Sequence, residues 1–327
     1  MENYKVVVDN VIVEIDYYTE LLGAIASVCD DQYAIYNLGR EYNNRVYHRL
    51  IRNSFDRVNM LQAVKLLVKL SDEYYFYNKS VVRLFLMLSN NQKIDRLDVC
   101  NMSEEIEEEL FEQFLESIYK FESASNYHSF YRRYGKAYLD VLEQFSKDYR
   151  IYNPISYICD LLRLENNKQV HIILMLGITN NNYRIDIDDK IYICLRPVKE
   201  SNKNRSPYFT YNKVNWTTLI ISKFVENYIF DIVDQYSYLL EDIDGSIYQK
   251  VLEEVCGTSD IFYYVSETII KAIECLYVAK EFPEEFDDYI EMCNKQGYYK
   301  IRDIYKLYSN NINKNLEEFI SEIIGEF

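Results

Sequence analysis

Only three histidines occur in the 327 residues, His48, His128 and His171. No HxH, HxxxH or HxxE spacing joins them, so the sequence predicts no histidine-based metal site. A lone histidine is more often a packing or solvent-facing residue than a ligand. Seven cysteines, Cys29, Cys100, Cys159, Cys194, Cys256, Cys275 and Cys293, are scattered without a CxxC pair. That pattern argues against a disulfide framework and against a cysteine zinc knuckle. GxGxxG, GxxxxGK[ST] and GxSxG are all missing, and eight glycines leave little material for a phosphate cradle. Nothing in the spacing favours His171 with a cysteine as a catalytic pair. The most unusual group of reactive side chains is Ser222, Lys223 and Glu226, at i, i+1 and i+4 among Ile220, Ile221, Phe224, Val225, Tyr228 and Phe230. A lysine and a glutamate inside so apolar a segment must pair or reach water, because burying either charge alone is costly. The plainer reading is an ordinary i, i+3 ion pair on a partly exposed helix.

The elements that would carry these residues are mostly helices. Eight Gly and four Pro over this length favour long helices over tight hairpins. Lys5 to Ile15 (KVVVDNVIVEI) reads as one strand or two short ones. Helix is expected from Tyr18 to Val28, then as two or three amphipathic helices between Tyr42 and Leu88, with Leu61, Val64, Leu67 and Leu70 as a core stripe. Asn101 with Glu104 resembles a capping box, Ser103 is a competing N-cap, and the acidic run Glu104 to Glu109 suits a helix start. Phe111 to Tyr119 and Tyr127 to Phe145 continue as helix. After Asn166 the pattern shortens to Val170 to Leu176, Tyr183 to Ile187 and Ile191 to Leu195, three strands of a small sheet. Lys199 to Pro207 (KESNKNRSP) is the clearest loop, a boundary or a flap. Asn215 is the expected N-cap of a long helix, Trp216 to Leu240, apolar almost all round and so buried on most sides. Ile247 to Val255, Val265 to Glu281, Glu285 to Asn294, Ile301 to Tyr308 and Leu316 to Ile324 are further helices.

The chain carries 36 basic and 52 acidic residues, a formal net charge of −16. Such a surface repels phosphate backbones and anionic lipid, so neither nucleic acid nor a membrane is an expected partner. No signal peptide and no span of about eighteen uncharged apolar residues is seen, and a cytoplasmic protein is expected. The 34 tyrosines read as a coding bias rather than a function. They should do much of the packing, each buried hydroxyl needing a partner.

In their order along the chain these segments resemble a bacterial family of gluzincin-type, HExxH zinc metallopeptidase-like proteins catalogued as a domain of unknown function. Val13 to Ala26 (VEIDYYTELLGAIA) is similar to the family's opening segment, and Val46 to His48 to a later point. Phe114 to Phe145 resembles its paired helices, Ile172 to Tyr183 its strand and asparagine-containing turn, and Tyr308 to Phe327 its closing helix. The resemblance implies a mainly helical α+β fold, with a small mixed sheet at about 170–197 packed against a long central helix at about 216–240. It divides the chain at 1–165 and 166–327, or makes it one composite domain.

In active members two histidines of HExxH bind zinc and the glutamate between them is the general base. The corresponding stretch here is Ser222-Lys223-Phe224-Val225-Glu226. Ser222 and Glu226 stand at the ligand positions and Lys223 at the base, with Glu267 (in VSETIIKAI) at the third ligand position. Serine is a poor zinc ligand, and an ammonium repels a cation. The resemblance therefore implies a catalytically inactive protein without a metal or other cofactor, in which Lys223 pairs with Glu226 or Glu267 in the metal's electrostatic place. It would bind a peptide or protein in the former cleft, with His171, Asn182 and Tyr183 at the cleft edge. Two alternatives stand beside this: a hydrolase with an atypical carboxylate-bound metal, and a structural or interaction protein unrelated to the cleft.

Overall fold

A computed structural model describes residues 3–29, 45–55, 57, 61–76, 79–90, 92, 94–99, 106–178, 181–196, 212–243, 260–311, 316–325 and 327. The expected capping box at Asn101–Glu104, the Lys199–Pro207 loop with its lid role and the Ile247–Val255 helix lie outside these residues. Two compact units emerge, one of residues 1–150 with 168–212, the other of residues 151–167 with 213–327. The division expected at 165/166 is thus replaced by an interleaved one. Residues 151–167 belong with the C-terminal half, because a chain can leave a unit and return where sequence pattern marks no boundary.

The first unit holds a five-stranded mixed sheet in the order β1-β2-β3-β5-β4. Its strands are β1 (Tyr4–Val8), β2 (Val11–Ile15), β3 (Gln169–Leu174), β4 (Tyr183–Ile187) and β5 (Lys190–Leu195). β2, β3 and β5 run parallel, and the outer strands pair antiparallel with their neighbours. Each outer pair is a hairpin with a two-residue loop, Asp9–Asn10 or Asp188–Asp189, whose first aspartate has φ 52°. Aspartate tolerates that left-handed conformation better than most residues. The expected three strands are therefore joined by the Lys5–Ile15 hairpin, through Val13 opposite Ile172.

Helices of this unit are α1 (Tyr17–Val28), α2 (Arg45–Phe55), α3 (Gln62–Tyr74), α4 (Lys79–Ser89), the short α5 (Arg96–Val99), α6 (Glu108–Ala124), α7 (Tyr127–Arg133) and most of α8 (Gly135–Tyr152). Asp16 caps α1, accepting from Thr19 N at 2.7 Å. Val64, Leu67 and Leu70 are core on α3, as expected, and Leu61 stands just before it. The single helix expected from Tyr127 to Phe145 breaks at Tyr134, before Gly135. A Cβ on Gly135 would lie 2.1 Å from the Tyr4 hydroxyl, so this is where β1 presses on the helix pair.

The second unit is helical: α9 (Pro154–Leu162), α10 (Lys213–Gln235), α11 (Ile261–Glu281), α12 (Phe286–Lys295), α13 (Ile301–Asn310) and α14 (Leu316–Ile324). α10 begins at Lys213, which places Asn215 in its first turn rather than at its cap, and it ends before a 3-10 turn at Ser237–Asp242. Trp216, Ile220, Ile221, Phe224, Val225, Ile229 and Val233 are buried along it. The sheet and α10 fall in different units, so the expected packing of one on the other is not an internal contact of either. The fold is mainly helical α+β. No helix among the described residues is long and apolar enough to cross a membrane.

Buried tyrosines do carry much of the core. Tyr17, Tyr47, Tyr127, Tyr131, Tyr138, Tyr264 and Tyr277 are fully buried. Most of their hydroxyls are used, as with Tyr131 on Ile15 O at 2.6 Å and Tyr264 on Gly297 O at 3.0 Å. No disulfide joins the cysteines among the described residues.

Candidate functional site

The Lys223 side chain is 19 % exposed and that of Glu226 16 %, and Lys223 Nζ donates to Glu226 Oε1 at 3.0 Å. The partner is therefore one turn along the same helix. Glu267 lies on α11, which packs against α10. Burial pushes its carboxyl above the ordinary 4.5, Lys271 and Lys223 pull it back, and Glu226 and Glu274 push with burial. Ser222 is buried beside them on α10. The four residues expected at the degenerate site thus sit in one region of the second unit, with Lys223 touching Glu226 and acting on Glu267 through space.

Two residues that sequence reasoning missed complete the cluster. Lys271 Nζ bonds both oxygens of Glu274 at 2.9 Å, and Glu274 is wholly buried. The Tyr289 hydroxyl of α12 donates to Glu274 as well. Burial alone would lower the Lys271 ammonium, but Glu274 and then Glu267 outweigh it and hold the value above 10.5. The available signal was the i, i+3 spacing of Lys271 and Glu274 on an apolar helix, the same signal that singled out Lys223 and Glu226.

The donor set suits a metal poorly. The positions at which the resemblance would expect ligands offer a serine hydroxyl and a carboxylate already bonded to an ammonium, with a second ammonium close by. Among the described residues no group of three or more His, Cys, Asp or Glu is arranged to hold a metal ion.

His171, Asn182 and Tyr183 belong to the first unit. The strand that carries His171, β3, is the middle strand of the sheet, with β2 on one side and β5 on the other. Its main-chain groups are used in both directions, which leaves none for an added peptide strand. His171 Nδ1 lies 2.6 Å from Glu14 Oε1 and Nε2 lies 3.0 Å from Gln169 Oε1, with the ring against Tyr192. Asn182 Oδ1 accepts from Arg196 N at 2.9 Å, closing the entry of β4 on the exit of β5. Tyr183 shares the sheet face of His171 but sits two residues further along, beyond β5, and burial raises its hydroxyl to about 12. These three residues hold the sheet together rather than converge on a point. The His48 side chain lies outside the described residues.

The second unit also has an open groove of about 500 Å³ beside α9 and the end of α11. Tyr157, Asp160, Arg163, Lys280 and Glu281 line it, and Lys280 Nζ stands 4.3 Å over the Tyr157 ring. No family model matches the chain, no curated protein matches it, and no solved structure matches it.

Proposed function

We propose that this chain is a catalytically silent protein of gluzincin-like layout, which works in the cytoplasm by binding a peptide or protein partner rather than by hydrolysis. One observation carries the reading. Where an HExxH helix would present two ligands and a base to zinc, Lys223 Nζ is bonded to Glu226 Oε1 at 3.0 Å and Glu267 feels the same ammonium. A fixed ammonium supplies the positive charge that the carboxylates call for, without activating water. The groove beside Tyr157 and Lys280 offers a partner aromatic surface and charges of both signs within the same unit.

The test is to measure metal content and then to rebuild the motif. The purified chain is expected to hold no stoichiometric metal and to cleave no peptide. The variant Ser222→His, Lys223→Glu, Glu226→His is expected to take up one zinc ion per chain, with Glu267 as third ligand. Stoichiometric metal in the unaltered chain would overturn silence. A folded triple variant blind to zinc would overturn the gluzincin-like layout.

A further inference from the structure

A different carboxylate lies at the centre of the first unit. Glu20 of α1 is almost wholly buried. Its Oε1 accepts from Leu176 N at 2.6 Å and Gly177 N at 3.1 Å, where the chain leaves β3. Its Oε2 accepts from the Tyr47 hydroxyl of α2 at 2.7 Å. That hydroxyl lies 2.6 Å from the Tyr138 hydroxyl of α8, and either oxygen can donate. One carboxylate thus ties together α1, α2, α8 and the end of β3. Nearby, Gly23 meets Gly177 so closely that a Cβ on Gly23 would lie 2.7 Å from Gly177 Cα. The two backbone N–H groups are thereby fixed against Glu20.

Among the described residues the groups facing Glu20 are anionic or neutral. Asp16 precedes α1, Tyr47 comes from α2, Tyr127 and Tyr131 from α7, and Tyr138 from α8. On α3 and α4, which also pack on α1, Lys65, Lys69, Asp72, Glu73 and Lys79 are exposed, and Arg83 reaches Asp186 O. Among the described residues no cation bonds to Glu20. Burial pushes its carboxyl up to about 7, with Asp16 adding to the push, against the bonds from Tyr47, Gly177 and Leu176.

We propose that Glu20 is a pH-sensitive latch, holding the first unit most firmly when protonated and accommodating its proton by reversing the Tyr47–Tyr138 hydroxyl chain. With Oε1 occupied by two N–H donors, the proton belongs on Oε2. Oε2–H then donates to Tyr47, and Tyr47 donates to Tyr138. In the ionised state the order reverses, Tyr138 to Tyr47 to Oε2, and no heavy atom has to move. Tyr127, whose buried hydroxyl has no hydrogen-bond partner among the described residues, feels Tyr138 and then Glu20 through space. Because the folded value stands above the ordinary 4.5, the latch contributes fully below that pH and loses its contribution as pH rises to about 7.

The experiment follows the glutamate carboxyl carbons of the full chain by NMR and its urea unfolding as pH is varied. A carboxyl carbon titrating near 7, absent in Glu20→Gln, is expected. Between pH 4.5 and 7 the unfolding constant of the unaltered chain should rise about tenfold per pH unit relative to Glu20→Gln, then level off. Tyr47→Phe keeps the carboxyl and removes a bond that favours its ionised form, so the midpoint should move up. That variant identifies the Glu20 signal if Glu20→Gln does not fold. A Glu20 signal that finishes titrating below about pH 6, or a midpoint unmoved by Tyr47→Phe, would overturn the latch.

Discussion

The two units bury carboxylates in opposite ways. In the second, Glu226 and Glu274 each hold a lysine one turn away, Lys223 at 3.0 Å and Lys271 at 2.9 Å. In the first, the donors to buried Asp16 and Glu20 among the described residues are hydroxyl, amide and backbone N–H groups. Asp16 bonds Asn3, Ser89 and Thr19 N, and Glu20 bonds Tyr47, Leu176 N and Gly177 N. Neutral donors compensate desolvation less than an ammonium does, so burial wins and raises Asp16 to about 6 and Glu20 to about 7. Glu267 runs against this contrast inside the charged cluster, for burial raises its carboxyl although Lys271 and Lys223 oppose the shift.

The contrast breaks most visibly at Glu274. Replacing it with Ala strands the Lys271 ammonium and the Tyr289 hydroxyl in the interior. A loss of about 3–5 kcal/mol is expected, read by chemical denaturation. In the first unit the equivalent disturbance is steric. Gly23→Ala forces a methyl into the Gly177 backbone and should cost about 1–3 kcal/mol, with Leu176 and Gly177 losing hydrogen-exchange protection. Lys223→Met should be milder, about 1 kcal/mol for a partly exposed pair. It should also move the Glu267 titration upward, because Lys223 holds that carboxyl down.

The subtlest expectation concerns pH, where the units should respond at opposite ends. Asp16 rises on folding from 3.8 to about 6, so its contribution is present below 3.8 and is lost as pH climbs to 6. Asp16→Asn keeps a helix cap and should flatten that part of the stability profile. Lys271 is raised above 10.5, so its pair with Glu274 should hold up to that pH and fail only in stronger alkali. A melting series from pH 4 to 11 on the unaltered chain and on Asp16→Asn checks this, and a profile unchanged by Asp16→Asn would remove the contrast.

Much of the fold was legible in pattern. The apolar spacing placed α1, α14 and the three strands after Asn166, and called for two or three helices where α2 to α4 stand, because helix and strand periods are local properties. Lys223 and Glu226 stood out because two charges interrupted an apolar helix, and their pairing follows from spacing alone. Lys271 and Glu274 passed unnoticed although they repeat the same spacing.

Tertiary structure decided the rest. The Lys5–Ile15 hairpin joins the sheet through residues about 160 positions away, and strand pairing at that separation leaves no mark in local periodicity. The same pairing makes β3 central and turns His171 from an expected cleft edge into a bonded partner of Glu14. The return of residues 151–167 to the C-terminal unit and the meeting of Glu20 with Leu176 are equally non-local. Sequence by itself determined which residues form helices and strands and which charges must find partners, since both depend on neighbours a few positions apart. Which partner each buried carboxylate found, an ammonium or only neutral donors, depended on segments that distance in sequence keeps apart and only packing brings together.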